Sequence, residues 1–256
     1  MLQELKEQVN EFVLHSPLNI VSELDMMRIW EQPLIGIASA HDELWGKLQQ
    51  SDAVGSQHML PQDWLPGARS VVSYFLPLTK RIRQTNGTAG LPSTEWLYGR
   101  YEGEIFNNAL RSFVVDLLTK AGDYAVAPGL DKRFAVVNRR SNWSERHVAF
   151  VAGLGTFSLN RSMITNLGAA GRFGSIIVDL ELTPTKRPYK TIDEYCIKCG
   201  ACIARCPVGA ITDSGKDNEI CGRYLNEVLE KYKPRYGCGK CQTAVPCEAC
   251  NPNRSR

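Results

Sequence analysis

Residues 1 to 195 contain no cysteine, although the 256-residue chain has nine. That absence excludes a disulfide framework over most of the chain, the device by which small secreted domains make up for a small core. No run approaches the ~20 apolar residues that a membrane-spanning helix needs. The N-terminus lacks the basic start and unbroken apolar stretch of a secretory signal. Instead Glu4, Lys6, Glu7 and Glu11 interleave with Leu2, Leu5, Val9, Phe12 and Val13 at the spacing of an amphipathic helix. The Arg139–Arg140 pair is internal and cannot act as a twin-arginine export signal. Charge of one sign is scarce: a net +3 is far from the basic footprint of a dedicated nucleic-acid binder. Histidine is scarce as well, and His15, His41, His58 and His147 lack metal-ligand spacing. These absences predict a soluble protein of a reducing cytoplasm with no membrane partner.

What is present is concentrated at the C-terminal end. Cys196, Cys199, Cys202 and Cys206 are followed at once by Pro207. This is the C-x2-C-x2-C-x3-C-P run of bacterial ferredoxins, whose fourth cysteine ligates the other cluster when two are present. Cys221, Cys238, Cys241, Cys247 and Cys250 form a second group. A zinc site uses four ligands, usually in two separated pairs, and would waste a tight triple. The crossover rule gives two [4Fe–4S] clusters. Cys196, Cys199 and Cys202 hold one, completed by Cys247 or Cys250, and Cys206 joins Cys221, Cys238 and Cys241 on the other. The rigid approach from Pro246 favours Cys247, and the ninth thiol is spare. The chain therefore carries electrons.

Upstream, residues 1–190 read as one α/β domain and residues 191–256 as a small ferredoxin-like module that needs its clusters to fold. Pro33–Ser39 and Ser70–Leu76 are β-rich runs bounded by turn residues. Ile105, Phe106, Ala109, Leu110, Phe113, Val114, Leu117 and Leu118 give a long helix, with Gly122 just past its end. Phe134–Asn138 and Phe173–Leu182 read as strands, and Ser144–Ala152 as a helix. Residues 80–95, rich in Gly, Ser and Thr, read as a mobile loop. In the module a helix begins near Cys221 and stops at Pro234, with Glu227 and Lys231 as an i,i+4 pair.

The segment Gly153-Leu154-Gly155, then Gly168, Gly171 and Gly174, is the next signal. Ser158 stands where a dinucleotide fingerprint requires its third glycine, and a helix precedes Gly153 where that fingerprint has a strand. The glycines serve either tight turns or close approach of backbone to a flat cofactor. Glu145–Arg146, by default a solvated pair, and His147 lie beside this segment. Trp96, Tyr98, Arg100 and Tyr101 cluster before the long helix, with packing as their default role.

Taken together, these blocks resemble the epoxyqueuosine reductase-like family, related to reductive dehalogenases. The resemblance runs from Leu65-Pro-Gly-Ala-Arg-Ser-Val-Val72 through Glu145-Arg146, Ala152-Gly-Leu-Gly155, Arg172-Phe-Gly-Ser175 and Val178-Asp-Leu-Glu-Leu182 to the cysteines and Tyr236-Gly-Cys-Gly-Lys-Cys241. It implies an α/β fold: a nitroreductase-like domain holding base-off cobalamin against a module with two [4Fe–4S] clusters. Gly153, Leu154, Gly155, Arg172, Phe173 and Gly174 become the expected cofactor-binding residues. The clusters would reduce the corrinoid to a cobalt(I) nucleophile, giving an oxidoreductase fed by a low-potential donor such as ferredoxin or flavodoxin and acting on a small molecule or a corrinoid. A carrier that only reduces a partner, and a flavin-binding reductase, are the rival readings. Three departures stand out. The family's catalytic aspartate position is Arg139, which leaves the catalytic acid unknown and suggests that Arg139 and Arg140 hold an anionic group. The helical repeats that help hold tRNA are missing, which with the modest charge argues against tRNA as a partner. Thr156 to Arg161 replace the usual glycine-lysine continuation.

Overall fold

The computed structural model describes residues 2–254. Helix α1 (Leu2–His15) is the predicted amphipathic helix and buries Leu5, Val9 and Val13. Strands β1 (Leu34–Ser39) and β2 (Ser70–Pro77) follow, then α2 (Lys80–Thr85), the long α3 (Thr94–Lys120) and the short β3 (Ala125–Val126). A tight hairpin, β4 (Val136–Val137) and β5 (Arg140–Ser141), leads to α4 (Glu145–Val151), a second hairpin of β6 (Gly155–Phe157) and β7 (Met163–Thr165), and β8 (Gly171–Val178). The main sheet is antiparallel throughout, in the order β1-β2-β8-β3.

Strand β2 is buried along its whole length, so its alternate side chains feed two cores. Val72, Tyr74 and Leu76 pack with α1 and with Phe106, Leu110 and Val114 of α3. On the opposite face Val71 packs with Val148 and Val151 of α4 and the indoles of Trp45, Trp64 and Trp143. Truncating a fully buried residue such as Leu110 to alanine would cost ~2–5 kcal/mol.

The cysteine-rich module contributes α5 (Ala201–Ala204), the hairpin β9 (Ile211–Thr212) and β10 (Gly215–Lys216), and α6 (Asn218–Tyr232). Asp217 caps α6 by accepting from the N–H groups of Glu219 and Ile220. Among the described residues Glu227 and Lys231 make no ion pair; Lys233 with Glu230 does, at 2.8 Å. The chain then returns to the α/β domain. The N–H of Ala169 donates to Cys247 O (2.8 Å), and the amides of Asn160 and Asn86 donate to Cys241 O (2.6 Å) and Cys238 O (2.9 Å). No helix among the described residues is long and apolar enough to cross a membrane.

Three expectations change. Residues 80–95 are not a mobile loop: 80–85 form α2, and the segment after it is fastened by Asn86, whose carbonyl accepts from Lys240 and Thr243. The strand expected over 134–138 shrinks to two residues because Asn138 and Arg139 both take left-handed φ and turn the chain. The last strand begins at Gly171 and ends at Val178, short of Leu182.

Candidate functional site

In α3, Arg100, Glu104, Asn107 and Arg111 recur at steps of four, three and four, which aligns them on one helix face. This polar row in an otherwise core-forming helix anchors a buried network. The Tyr74 hydroxyl donates to Asn107 Oδ1 at 2.7 Å. Arg111 reaches Glu104 at 2.9 Å and Glu145 at 3.2 Å, and Arg172 pairs with Glu104. The Trp143 indole N–H can only donate, so at 2.9 Å it obliges Ser175 Oγ to accept. The Ser175 proton then goes to Glu145 Oε2, 2.6 Å away. Burial raises the Glu145 carboxyl, while Arg111 and Ser175 hold it down. Burial works against the Arg111 charge, but Glu145, Tyr74 and Glu104 more than offset it.

Beside this network opens a cleft of about 510 Å³. Its α/β wall carries Trp30, Leu78, Trp96, Phe134, Met163 and Phe173; its other wall carries Cys206, Cys221, Cys238 and Cys241 from the module. Arg146 lines it too. The residue is exposed as a whole, yet desolvation of its guanidinium, with Arg100 and Arg161 nearby, pulls its pKa below the ordinary value. The N–H of Ala210 donates to Cys206 Sγ at 3.2 Å. Trp96 sits flush on the module: Gly239 has φ +64, and a Cβ there would overlap the indole.

A second, narrow cavity of about 20 Å³ is lined by Cys196, Cys199, Cys202 and Cys247, with Ile164, Pro246 and neighbours. The two cavities divide the cysteines four and four. Cys250 lines neither; it is exposed and its thiol donates to Pro246 O at 3.5 Å. Burial pushes the Cys241 and Cys247 thiols up to about 12, and thiols so placed ionise only against a cation. Among the described residues no three His, Cys, Asp or Glu side chains converge on a single-ion site. A cubane does not require that, because each of its four thiolates binds a different iron.

Of the residues expected to hold a cofactor, Arg172 and Phe173 line the cleft, whereas Gly153, Leu154, Gly155 and Gly174 do not. The close approach that these glycines permit is to the protein itself. A Cβ on Gly155 would overlap the Ile164 carbonyl, and one on Gly174 would overlap the Tyr74 ring. Gly153 ends α4 with φ +80. Glu145 and Arg146 do not form a solvated pair, since Glu145 turns inward to Arg111 and Arg146 donates to Arg161 O at 2.7 Å. Arg139 and Arg140 do not face the cleft. Arg139 pairs with Glu219 at 2.8 Å and packs its guanidinium against Gly222, and Arg140 donates to Val54 O at 3.0 Å. Trp30, Glu104, Arg111 and Lys240 were not singled out by the sequence reading, and only the polar row on α3 offered a signal.

The fold and the cysteine wall define an iron–sulfur protein, an α/β domain joined to a ferredoxin-type module. The 4Fe-4S binding domain family matches residues 189–212. The chain is epoxyqueuosine reductase-like in sequence and in fold. It is 30% identical over 204 residues to the epoxyqueuosine reductase of Escherichia coli and 28% identical over 201 residues to that of Bacillus cereus; each alignment covers 73% of this chain and 50% of the relative. The chain thus spans about half the length of the curated relatives it matches. An epoxyqueuosine reductase solved with an epoxyqueuosine-modified tRNA-Tyr stem loop superimposes with a TM-score of 0.51 at 20% identity, over 97% of this chain and 66% of that one. A catabolic reductive dehalogenase gives 0.56 at 15% identity, over 86% and 31%. The expectation that tRNA has no part is overturned by the relatives and by that stem-loop structure. A net charge averages the whole surface and is silent about any one face, which is why it misled.

Proposed function

We propose that this protein is an iron–sulfur reductase that binds two [4Fe–4S] clusters and a corrinoid, and reduces a substrate in the cleft between its two parts. One observation carries the reading: Cys206, Cys221, Cys238 and Cys241 line a ligand-sized cleft together with aromatic and charged side chains of the α/β domain. Cys196, Cys199, Cys202 and Cys247 hold the outer cluster, and the cleft-side four hold the other. The residues present suit a corrinoid. Trp96, Phe134 and Phe173 would hold its ring system in the cleft, and Arg100 and Arg146 would suit its phosphodiester. When bound, the corrinoid supplies a strongly reducing, nucleophilic cobalt. The protein's own part is to hold it beside a cluster, to exclude bulk water with Trp96 and Phe134, and to keep Glu104 and Glu145 fixed through Arg111 and Arg172.

Support for the corrinoid also comes from the reductive dehalogenase fold at a TM-score of 0.50, whose structure is described as suggesting a B12-dependent mechanism. Epoxyqueuosine, for which the relatives are named, carried on tRNA as in the solved stem-loop complex, is the first substrate to try. The experiment is anaerobic reconstitution with and without cobalamin, followed by absorption spectra and turnover of epoxyqueuosine-containing tRNA. Corrinoid binding with product formation supports the whole reading; tight flavin binding without corrinoid binding overturns it. Corrinoid binding without turnover leaves the cofactor assignment standing and removes this substrate.

A further inference from the structure

The charge around the two cysteine groups is unequal. Lys240 lies between Cys238 and Cys241 and is 2% exposed. Its Nζ donates to Asn86 O at 3.2 Å and Thr88 O at 2.9 Å, both neutral acceptors. Lys216 and Arg146 line the same cleft as Cys206, Cys221, Cys238 and Cys241. Among the described residues none of these three cations pairs with a carboxylate.

The outer group differs. Its neighbouring cation, Lys198, is exposed and neutralised by Asp193 at 2.9 Å. Among the described residues Lys198 is the one charged side chain that lines the pocket of the outer four.

Reducing a cluster adds one negative charge. A buried, unpaired cation stabilises that state more than a surface ion pair does, because little water screens it. We infer that Lys240, aided by Lys216 and Arg146, raises the reduction potential of the cleft-side cluster above that of the outer one. An electron on the module then rests beside the cleft. The inference depends on the proposed reading that each cysteine group holds a cluster.

The test is an anaerobic redox titration of the cluster-loaded protein followed by EPR. K240M and K216M should each move the same one of two cluster signals to more negative potential and leave the other in place. K240R should hold the wild-type value. T243V removes a hydrogen bond to the same Asn86 carbonyl (3.1 Å) without altering charge, and should move neither signal. Unchanged potentials in K240M with both clusters present, or an equal shift in K240R or T243V, would overturn the inference. Should K240M fail to assemble, K216M decides alone: a half-buried residue of a two-residue strand, it is removable without breaching the core. Fewer than two clusters in the wild type would instead overturn the reading beneath.

Discussion

The two cysteine groups use the same ligand at similar spacing, yet they are seated differently. The outer four lie in a narrow pocket formed by their own segment, the turn after β6 and the Val245–Cys247 stretch. The cleft-side four line the wider cleft together with Phe173, beside Trp96, which packs on Gly239, and are bolted to the α/β domain through Asn86, Lys240 and Thr243. One seat lies near the surface, with Cys199 exposed. The other shares a wall with the cleft and with the buried Arg111 network. Similar ligand chemistry thus acquires two roles from what surrounds it.

The largest effect expected concerns the completing ligand. Cys247→Ser should lose or convert the outer cluster and remove up to half of the iron, while Cys250→Ser should retain both clusters, since Cys250 lies outside either cavity. Iron analysis of the two variants measures this, and the opposite pattern would reverse the roles of the two residues.

The α/β contact is the next point of attack. Gly239→Ala would place a Cβ into the rigid Trp96 indole at a left-handed backbone position, at a cost of roughly 3 kcal/mol or more. Gly222→Ala also creates an overlap, but with the movable end of Arg139, and should cost at most about 1 kcal/mol. Thermal unfolding of both variants should preserve that order. If the two are equally mild, the cleft-side seat is looser than described.

Acid probes the frame that both seats share. Burial lowers His58 to about 4 and His147 to about 3. The folded state therefore binds fewer protons than the unfolded state below ~6.5, the ordinary histidine value. Stability is full above that pH and falls as the pH drops towards 4, by on the order of 2 kcal/mol from His58. His58→Gln should flatten this decline in unfolding curves followed by tryptophan fluorescence, since His58 stacks on Trp143. An unchanged slope would place the acid sensitivity in the cluster module.

The smallest effect belongs to Lys198→Ala, which removes an exposed ion pair and should leave the thermal unfolding midpoint unchanged. It should also leave both cluster potentials unmoved. A clear shift at the outer cluster would erase the contrast between the two seats.

How far the sequence carries this picture differs by region. Helix α1, strands β1 and β2 and the long α3 were legible because their periodicity is local and strong. The cysteine spacing announced iron–sulfur chemistry without help from the fold. Residues 86–93 were misread because what holds them, Lys240, Arg205 and Thr243, lies more than a hundred residues away. Glu145 was misread as solvated because its partner Arg111 sits on another element. The Gly153–Gly155 segment was drawn towards a cofactor because a glycine records only that something comes close; here that is the β6–β7 hairpin and a helix end. In each case the missing information was a contact across the chain.

The central claim, that both seats are filled and one of them faces the cleft, is tested most directly by iron and acid-labile sulfide analysis of anaerobically purified protein. The account predicts about eight irons and eight sulfides per chain, as two cubanes require. A value near four, or stoichiometric zinc in place of iron, would contradict it.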